Sequence, residues 1–201
     1  MGAQEEFPLK RKMLGELLGE LKAAVEDALS EVPTVDSVAG RVKTAEQFAI
    51  KAGRTRDGAP RYADPLAEIQ DQVGIRVMVK FVDDIATVVA VLDGLFNQVE
   101  RLSKRPENPE EFGYEAVHLV CSVPPDLAER FHPHVNFFEI QVCTLFQHAW
   151  AETNHDLGYK PGVPLDWDQR RLKSVAAASA WAADKAFGEL RRSMQNGGTH
   201  A

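Results

Sequence analysis

The sequence is short of cysteine, of long apolar runs and of positive charge, and each shortage excludes something. Its 201 residues include two cysteines, Cys121 and Cys143, in no CxxC or Cys/His spacing. That speaks against a zinc module and leaves two buried thiols in a reducing compartment as the plain reading. No stretch approaches the roughly 20 consecutive apolar residues of a membrane span. The N-terminus has no apolar core of a secretory signal. The formal net charge is −7, so no global field draws the chain to nucleic acid or an anionic membrane. A cytoplasmic protein with no membrane partner is expected. What is present is ordinary for a globular domain: 44% hydrophobic and 26% charged residues, at a length that buries a real core.

Periodicity sets the expected elements. Leu14, Leu17, Leu18, Leu21, Val25 and Leu29 form one helical stripe over residues 10–29, and Pro33 ends it. A second helix is predicted over 38–52, then a basic, glycine-containing loop over 53–62. Val73, Ile75, Val77, Val79 and Phe81 alternate with Arg76 and Lys80, as in a strand. Asp83 and Asp84 can cap a helix over 85–96. Strands are predicted over 99–103, 117–123 and 136–143, with a short helix between the last two. Helices over 145–157 and 168–192 follow, and the last residues, 197–201, read as a frayed tail. Without a regular βαβ rhythm, this predicts an α+β (mixed α/β) fold, a mixed sheet among helices.

Four groups of residues could carry chemistry. Arg41, Lys43, Lys51, Arg54, Arg56 and Arg61 form a basic run. Such runs are ordinarily solvated surface, but Arg and Lys at a loop–helix junction also suit a polyphosphate. Asp71 and Arg76 flank the start of a strand, where a carboxylate could help hold Mg²⁺ and the guanidinium a nucleotide. Tyr114 could stack on a base, and His118, four residues on, can share its strand face; a half-buried Tyr and a satisfied His are equally open. Glu139 stands in an apolar strand, where an unpaired carboxylate is costly and needs a partner. Gln141 and Cys143 share its face. On the following helix His148, Glu152 and His155 fall at i, i+4 and i+7. That could suggest a metal, but without a HExxH order a polar face lining a pocket is the preferred reading.

Taken together, these residues resemble the synthetase domain of the RelA/SpoT homologues, in its stand-alone small alarmone synthetase form. The matching blocks are Arg41-x-Lys43 with Lys51, Asp71-x-x-Gly74-x-Arg76, Gly113-Tyr114-x-x-x-His118, and Glu139-x-Gln141 through His148-Ala-Trp-Ala-Glu152, His155 and Tyr159-Lys160. The likeness spans residues 36–192, most of the chain. It implies a single domain over residues 1–201, with a nucleotidyltransferase-like core of five or so strands at 36–165. Helical extensions are implied at 10–30 and 168–192.

It also implies an activity: transfer of the β,γ-pyrophosphate of ATP to the 3′-hydroxyl of GDP or GTP, giving guanosine tetra- or pentaphosphate and AMP, with Mg²⁺. By resemblance, Arg41, Lys43 and Lys51 hold ATP phosphates, helped by Arg54 and Arg56, and Arg76 lies against the adenine. Asp71 binds the metal. Glu139 binds the metal, acts as general base on the 3′-hydroxyl, or does both. Tyr114, His118, Gln141, His148, Glu152 and His155 serve the acceptor. Small relatives assemble through their C-terminal helices, so a homo-oligomer is a further implication.

The chain departs from the family pattern near the acceptor. Glu110-Glu111-Phe112 stands where many members carry Lys and Asn, and Cys143 stands in place of an Arg. A second reading is therefore a toxic relative that modifies an adenine nucleotide or the 3′-CCA end of tRNA, with an antitoxin partner. A third is a catalytically inactive nucleotide-binding module.

Overall fold

The computed structural model describes residues 2–131, 135–158 and 164–197. Helix α1 (Ala3–Ala28) is followed by β1 (Val35–Val42), α2 (Ala45–Ala52), a small hairpin β2–β3 (Thr55–Arg56 and Ala59–Pro60) and α3 (Pro65–Glu68). Then come β4 (Val73–Val79), a 3₁₀ turn (Val82–Asp84), α4 (Ile85–Leu95), β5 (Gln98–Lys104) and β6 (Ala116–Ser122). Helix α5 (Pro125–Arg130), β7 (Phe137–Thr144), α6 (Leu145–Gly158) and α7 (Trp167–Gly197) complete the order. The main sheet is five-stranded, β1-β4-β7-β6-β5. The β4–β7 pair is parallel; its other pairs are antiparallel. This is the mixed sheet among helices that the sequence predicts.

The second predicted helix divides. Residues 35–42 form an edge strand on β4, and only 45–52 are helical. Val35, Val38 and Val42 favour an extended chain because β-branched side chains fit a pleated surface better than a helix turn. Thr44 then starts α2, its hydroxyl accepting the Gln47 N–H at 3.1 Å. Two smaller differences follow the same logic. Helix α1 begins at Ala3, because Phe7 is fully buried and stacks on Phe48 at 4.1 Å between centroids. The expected loop over 53–62 holds hairpin β2–β3, whose turn Asp57-Gly58 takes positive φ at both residues. Of the predicted C-terminal tail, residues 198–201 lie outside the described residues.

One sheet face makes the apolar core. Val73, Ile75, Val77 and Val79 of β4, Phe138, Ile140 and Val142 of β7, and Leu119 and Cys121 of β6 pack with Leu14, Leu17, Leu21 and Val25 of α1 and Val88 and Leu92 of α4. α1 lies so close to β1 that a Cβ at Gly40 would sit 2.8 Å from Leu18 Cδ1. The intervening residues of the same strands point to the opposite face, which α6 and α7 cover in part.

Candidate active site

Strand register builds the site. Ala39 of β1, Arg76 of β4, Gln141 of β7 and His118 of β6 form one row across the sheet. Arg41, Gly74 and Glu139 form the next. All face away from the α1 core, because paired residues share a face and alternate residues oppose it.

A directed hydrogen-bond chain runs along these rows. Arg76 Nε and Nη2 donate to Gln141 Oε1 at 3.2 and 3.1 Å. Gln141 Nε2 donates to Glu139 Oε2 at 2.6 Å. His118 Nδ1 lies 2.9 Å from Glu139 Oε1. On its other side Arg76 Nη1 pairs with Glu152 and meets His148 Nδ1 at 2.9 Å. Guanidinium can only donate, so His148 Nδ1 is the acceptor there. The Gln141 amide is likewise oriented by Arg76 on its oxygen and Glu139 on its nitrogen.

Glu139 thus has the partners its burial demands. Burial opposes its ionisation, but the His118 hydrogen bond and charge, with the Gln141 amide, outweigh that and hold the carboxyl below its ordinary range. Asp71 behaves alike beside the sheet. Burial opposes its charge, yet Lys51 and Lys43 keep its pKa low. Lys51 Nζ is 2.8 Å from Oδ1 and Lys43 Nζ 3.1 Å from Oδ2. The two carboxylates feel each other, for the charge on Asp71 raises the pKa of Glu139.

Ala39, Arg41, Gly74, Arg76, Gln141, His148 and Glu152 line an open pocket of about 180 Å³. Tyr114 stands beyond Glu139, its ring edge-on to His118 at 5.8 Å. Its hydroxyl is buried against the Cys143 thiol. Burial, and Cys143 beside it, push the phenol pKa up. Burial also pushes the Cys143 thiol up to about 11, so position 143 supplies no charge.

The structure therefore brings together Arg41, Arg76, Glu139, Gln141, His118, Tyr114, His148 and Glu152, with Asp71, Lys43 and Lys51 clustered alongside. His148 and Glu152 close on Arg76 rather than on Tyr114. Arg54 stands exposed just before β2 and Arg56 exposed within it, both outside the pocket lining. His155 is exposed a turn beyond Glu152 on α6. Tyr159 and Lys160 lie outside the described residues. Sequence reasoning missed Asp184 of α7, buried beneath the start of α6; its one signal was a carboxylate within an alanine-rich stretch.

Residues 40–163 match a family described as "Region found in RelA / SpoT proteins". GTP pyrophosphokinase YjbM of Bacillus subtilis (strain 168) is 32% identical over 166 residues, which cover 80% of this chain and 74% of that protein. The crystal structure of small alarmone synthetase 1 from Bacillus subtilis superposes with a TM-score of 0.80 at 26% identity, over 96% of this chain and 99% of that one. The structure of that synthetase bound to its product pppGpp gives 0.73 at 29% identity, over 92% and 94% of the two chains. The likeness runs through every strand that supplies the polar rows, and it shows that the chain belongs to the RelA/SpoT family.

Proposed function

We propose that this chain is a pyrophosphokinase that moves the β,γ-pyrophosphate of ATP onto the 3′-hydroxyl of GDP or GTP. The observation that carries this reading is the ionised Glu139, held by His118 and Gln141 between the Arg76 pocket and Tyr114. A family match over residues 40–163 and a GTP pyrophosphokinase relative support it.

Arg41 and Arg76 frame the pocket for the adenine of the donor, with His148 and Glu152 holding Arg76 in place. Lys43 and Lys51, paired here by Asp71, turn to the triphosphate, which offers them more negative charge. Arg54 and Arg56 reach the same phosphates from the hairpin. Tyr114 stacks on the acceptor base, and Gln141 and His118 orient Glu139 towards its ribose. The acceptor 3′-oxygen attacks the β-phosphorus, the bond from that phosphorus to the α,β-bridging oxygen breaks, and AMP leaves with that oxygen. Glu139 takes the hydroxyl proton. Alignment of two nucleotides and cationic stabilisation of phosphoryl oxygens supply most of the acceleration.

Asp71 and Glu139 also suit Mg²⁺: both are hard carboxylates kept ionised, and Asp71 opens to a cation once Lys43 and Lys51 turn to the triphosphate. Bound there, Mg²⁺ would neutralise charge developing on the phosphates. The exposed apolar residues Leu172, Val175, Leu190 and Met194 of α7 support a homo-oligomer through that helix, which sedimentation equilibrium would detect as a mass above the monomer.

The deciding experiment offers ATP labelled at the β-phosphorus, with Mg²⁺, to GDP, GTP, ADP, ATP or deacylated tRNA in separate reactions. Label should pass to GDP or GTP with matching release of AMP. Label on tRNA or an adenine nucleotide alone would move the chain to the second reading, which the uncharged Cys143 favours. Nucleotide binding without transfer would sink the enzyme assignment.

A further inference from the structure

Ala177, Trp181, Asp184, Phe187 and Arg191 fall three or four residues apart along one side of helix α7, Ala177 and Asp184 buried and the two aromatic rings partly exposed. Phe187 stacks on Phe146 of α6 at 5.7 Å, and Arg191 donates to Asp84 at 2.6 Å. These contacts fasten the helix. Trp181 and Asp184, which precede them, do something else.

Asp184 is 6% exposed. Its Oδ2 accepts the Thr144 hydroxyl at 2.8 Å. The Thr144 oxygen in turn accepts the Gln147 N–H at 3.1 Å, which caps α6. The Gln147 side chain, itself buried, accepts the Glu115 N–H through Oε1 at 3.2 Å. Trp181, one turn before Asp184, sets its ring against Phe112 at 5.6 Å. Helix α7 thus reaches both ends of Phe112-Gly113-Tyr114-Glu115, by a ring contact at one end and a hydrogen-bond relay at the other.

The relay is directional. Thr144 has one hydroxyl proton, and donating it to Asp184 turns the oxygen lone pairs towards Gln147. Stability alone does not call for a carboxylate there. Burial opposes the Asp184 charge more than its Thr144 and Gln147 contacts offset it, a cost that an apolar residue would avoid. The helix around it is mostly alanine.

We propose that Asp184 and Trp181 are positioning residues that fix the segment Phe112–Glu115, and with it Tyr114, for the acceptor nucleotide. The proposal rests on the reading of Tyr114 as the acceptor-base contact. The test uses the full chain and the variants Asp184→Leu, Asp184→Asn and Trp181→Ala. Asp184→Leu keeps apolar volume but removes the acceptor for Thr144. It should raise the KM for GDP about tenfold, the effect of losing one charge-assisted hydrogen bond, while the KM for ATP moves less than about twofold. Asp184→Asn keeps an acceptor oxygen and should restore the wild-type KM. Trp181→Ala should raise the GDP KM in the same selective way.

Amide hydrogen exchange in the nucleotide-free protein reads the relay without turnover: the Glu115 N–H should exchange about tenfold faster in Asp184→Leu and return to normal in Asp184→Asn. If Asp184→Leu does not fold, Thr144→Val cuts the same link from the other side and should give both signatures. An equal rise in both KM values, a fall in kcat alone, or unchanged exchange at Glu115 overturns the proposal. A wild-type KM for GDP in Tyr114→Ala would instead overturn the reading of Tyr114, while the exchange rate still scores the relay.

Discussion

The two faces of the central sheet are built from alternate residues of the same strands, yet they are held by different physics. Towards α1 and α4, Val73, Ile75, Val77, Phe138, Ile140 and Val142 bury apolar area. Such packing is non-directional and accepts neighbours of similar size and shape. Towards α6, Arg76, Glu139, Gln141 and His118 satisfy one another through donors and acceptors fixed in direction. A change there leaves a buried partner unmet, and the chain fails as a unit. The first face makes the fold and the second makes the chemistry, and one residue of shift along a strand would exchange them.

Substitutions on each face can break or sharpen that contrast. Glu139→Gln should have the largest effect, removing a base and lowering transfer by roughly 10²- to 10⁴-fold, while nucleotide binding and the far-ultraviolet circular dichroism persist. A fully active Glu139→Gln enzyme would refute the assignment. Phe138→Ala, one residue away and facing the core beside Phe96, should do the reverse. It should cost about 3–5 kcal/mol in urea unfolding, with kcat per folded molecule unchanged; a loss of kcat at full stability would erase the distinction between the faces. Gly40→Ala presses a methyl against Leu18 Cδ1. Because the tip of Leu18 can give way, a loss of about 1 kcal/mol is expected, seen as a lower urea midpoint.

The smallest effect separates two kinds of buried carboxylate. Glu139 is held below its ordinary pKa, so its ionisation stabilises the fold above 4.5 and that contribution is lost as pH falls through the lowered value. Asp184 has the opposite sign. Burial raises its pKa above 3.8, against the lowering pull of the Thr144 and Gln147 contacts. Its destabilising contribution is therefore absent below the ordinary value and appears as pH rises through the folded one. Asp184→Asn should raise the melting temperature at pH 7, and the advantage should shrink as pH falls towards about 4. An advantage independent of pH would contradict the raised pKa.

Strands β4, β6 and β7 and helices α4 and α6 were legible because alternation or helical spacing ran unbroken through them. Residues 38–52 were not, because Val38 and Val42 sit four apart and satisfy a helical spacing as readily as a strand; only pairing with β4 decides. Arg41 and Lys43 stayed legible as a basic pair because the junction into α2 survives either reading. The need of Glu139 for a partner could be read from its apolar neighbours, but His118 and Gln141 could be named only once β6 and β7 were in register. His148 and Glu152 were legible as a shared face, whereas Arg76 as their partner depends on β4 passing under α6. Asp184 was hidden by distance, since its partner Thr144 lies 40 residues earlier.

The parallel seam between β4 and β7 sets an order of assembly. β1 pairs with β4, and β5, β6 and β7 pair in succession, all antiparallel, so each side of the seam can form from its own stretch of chain. Joining them closes a long loop, for Arg76 and Gln141 are 65 residues apart, and such non-local pairing is the slow step of folding. Arg41, Lys43, Lys51, Asp71 and Arg76 lie before the seam, and Tyr114, His118 and Glu139 after it. On the proposed roles, the donor-binding and acceptor-activating halves meet only when it closes, so a chain with the seam open would gather phosphate-binding charge without being able to spend ATP.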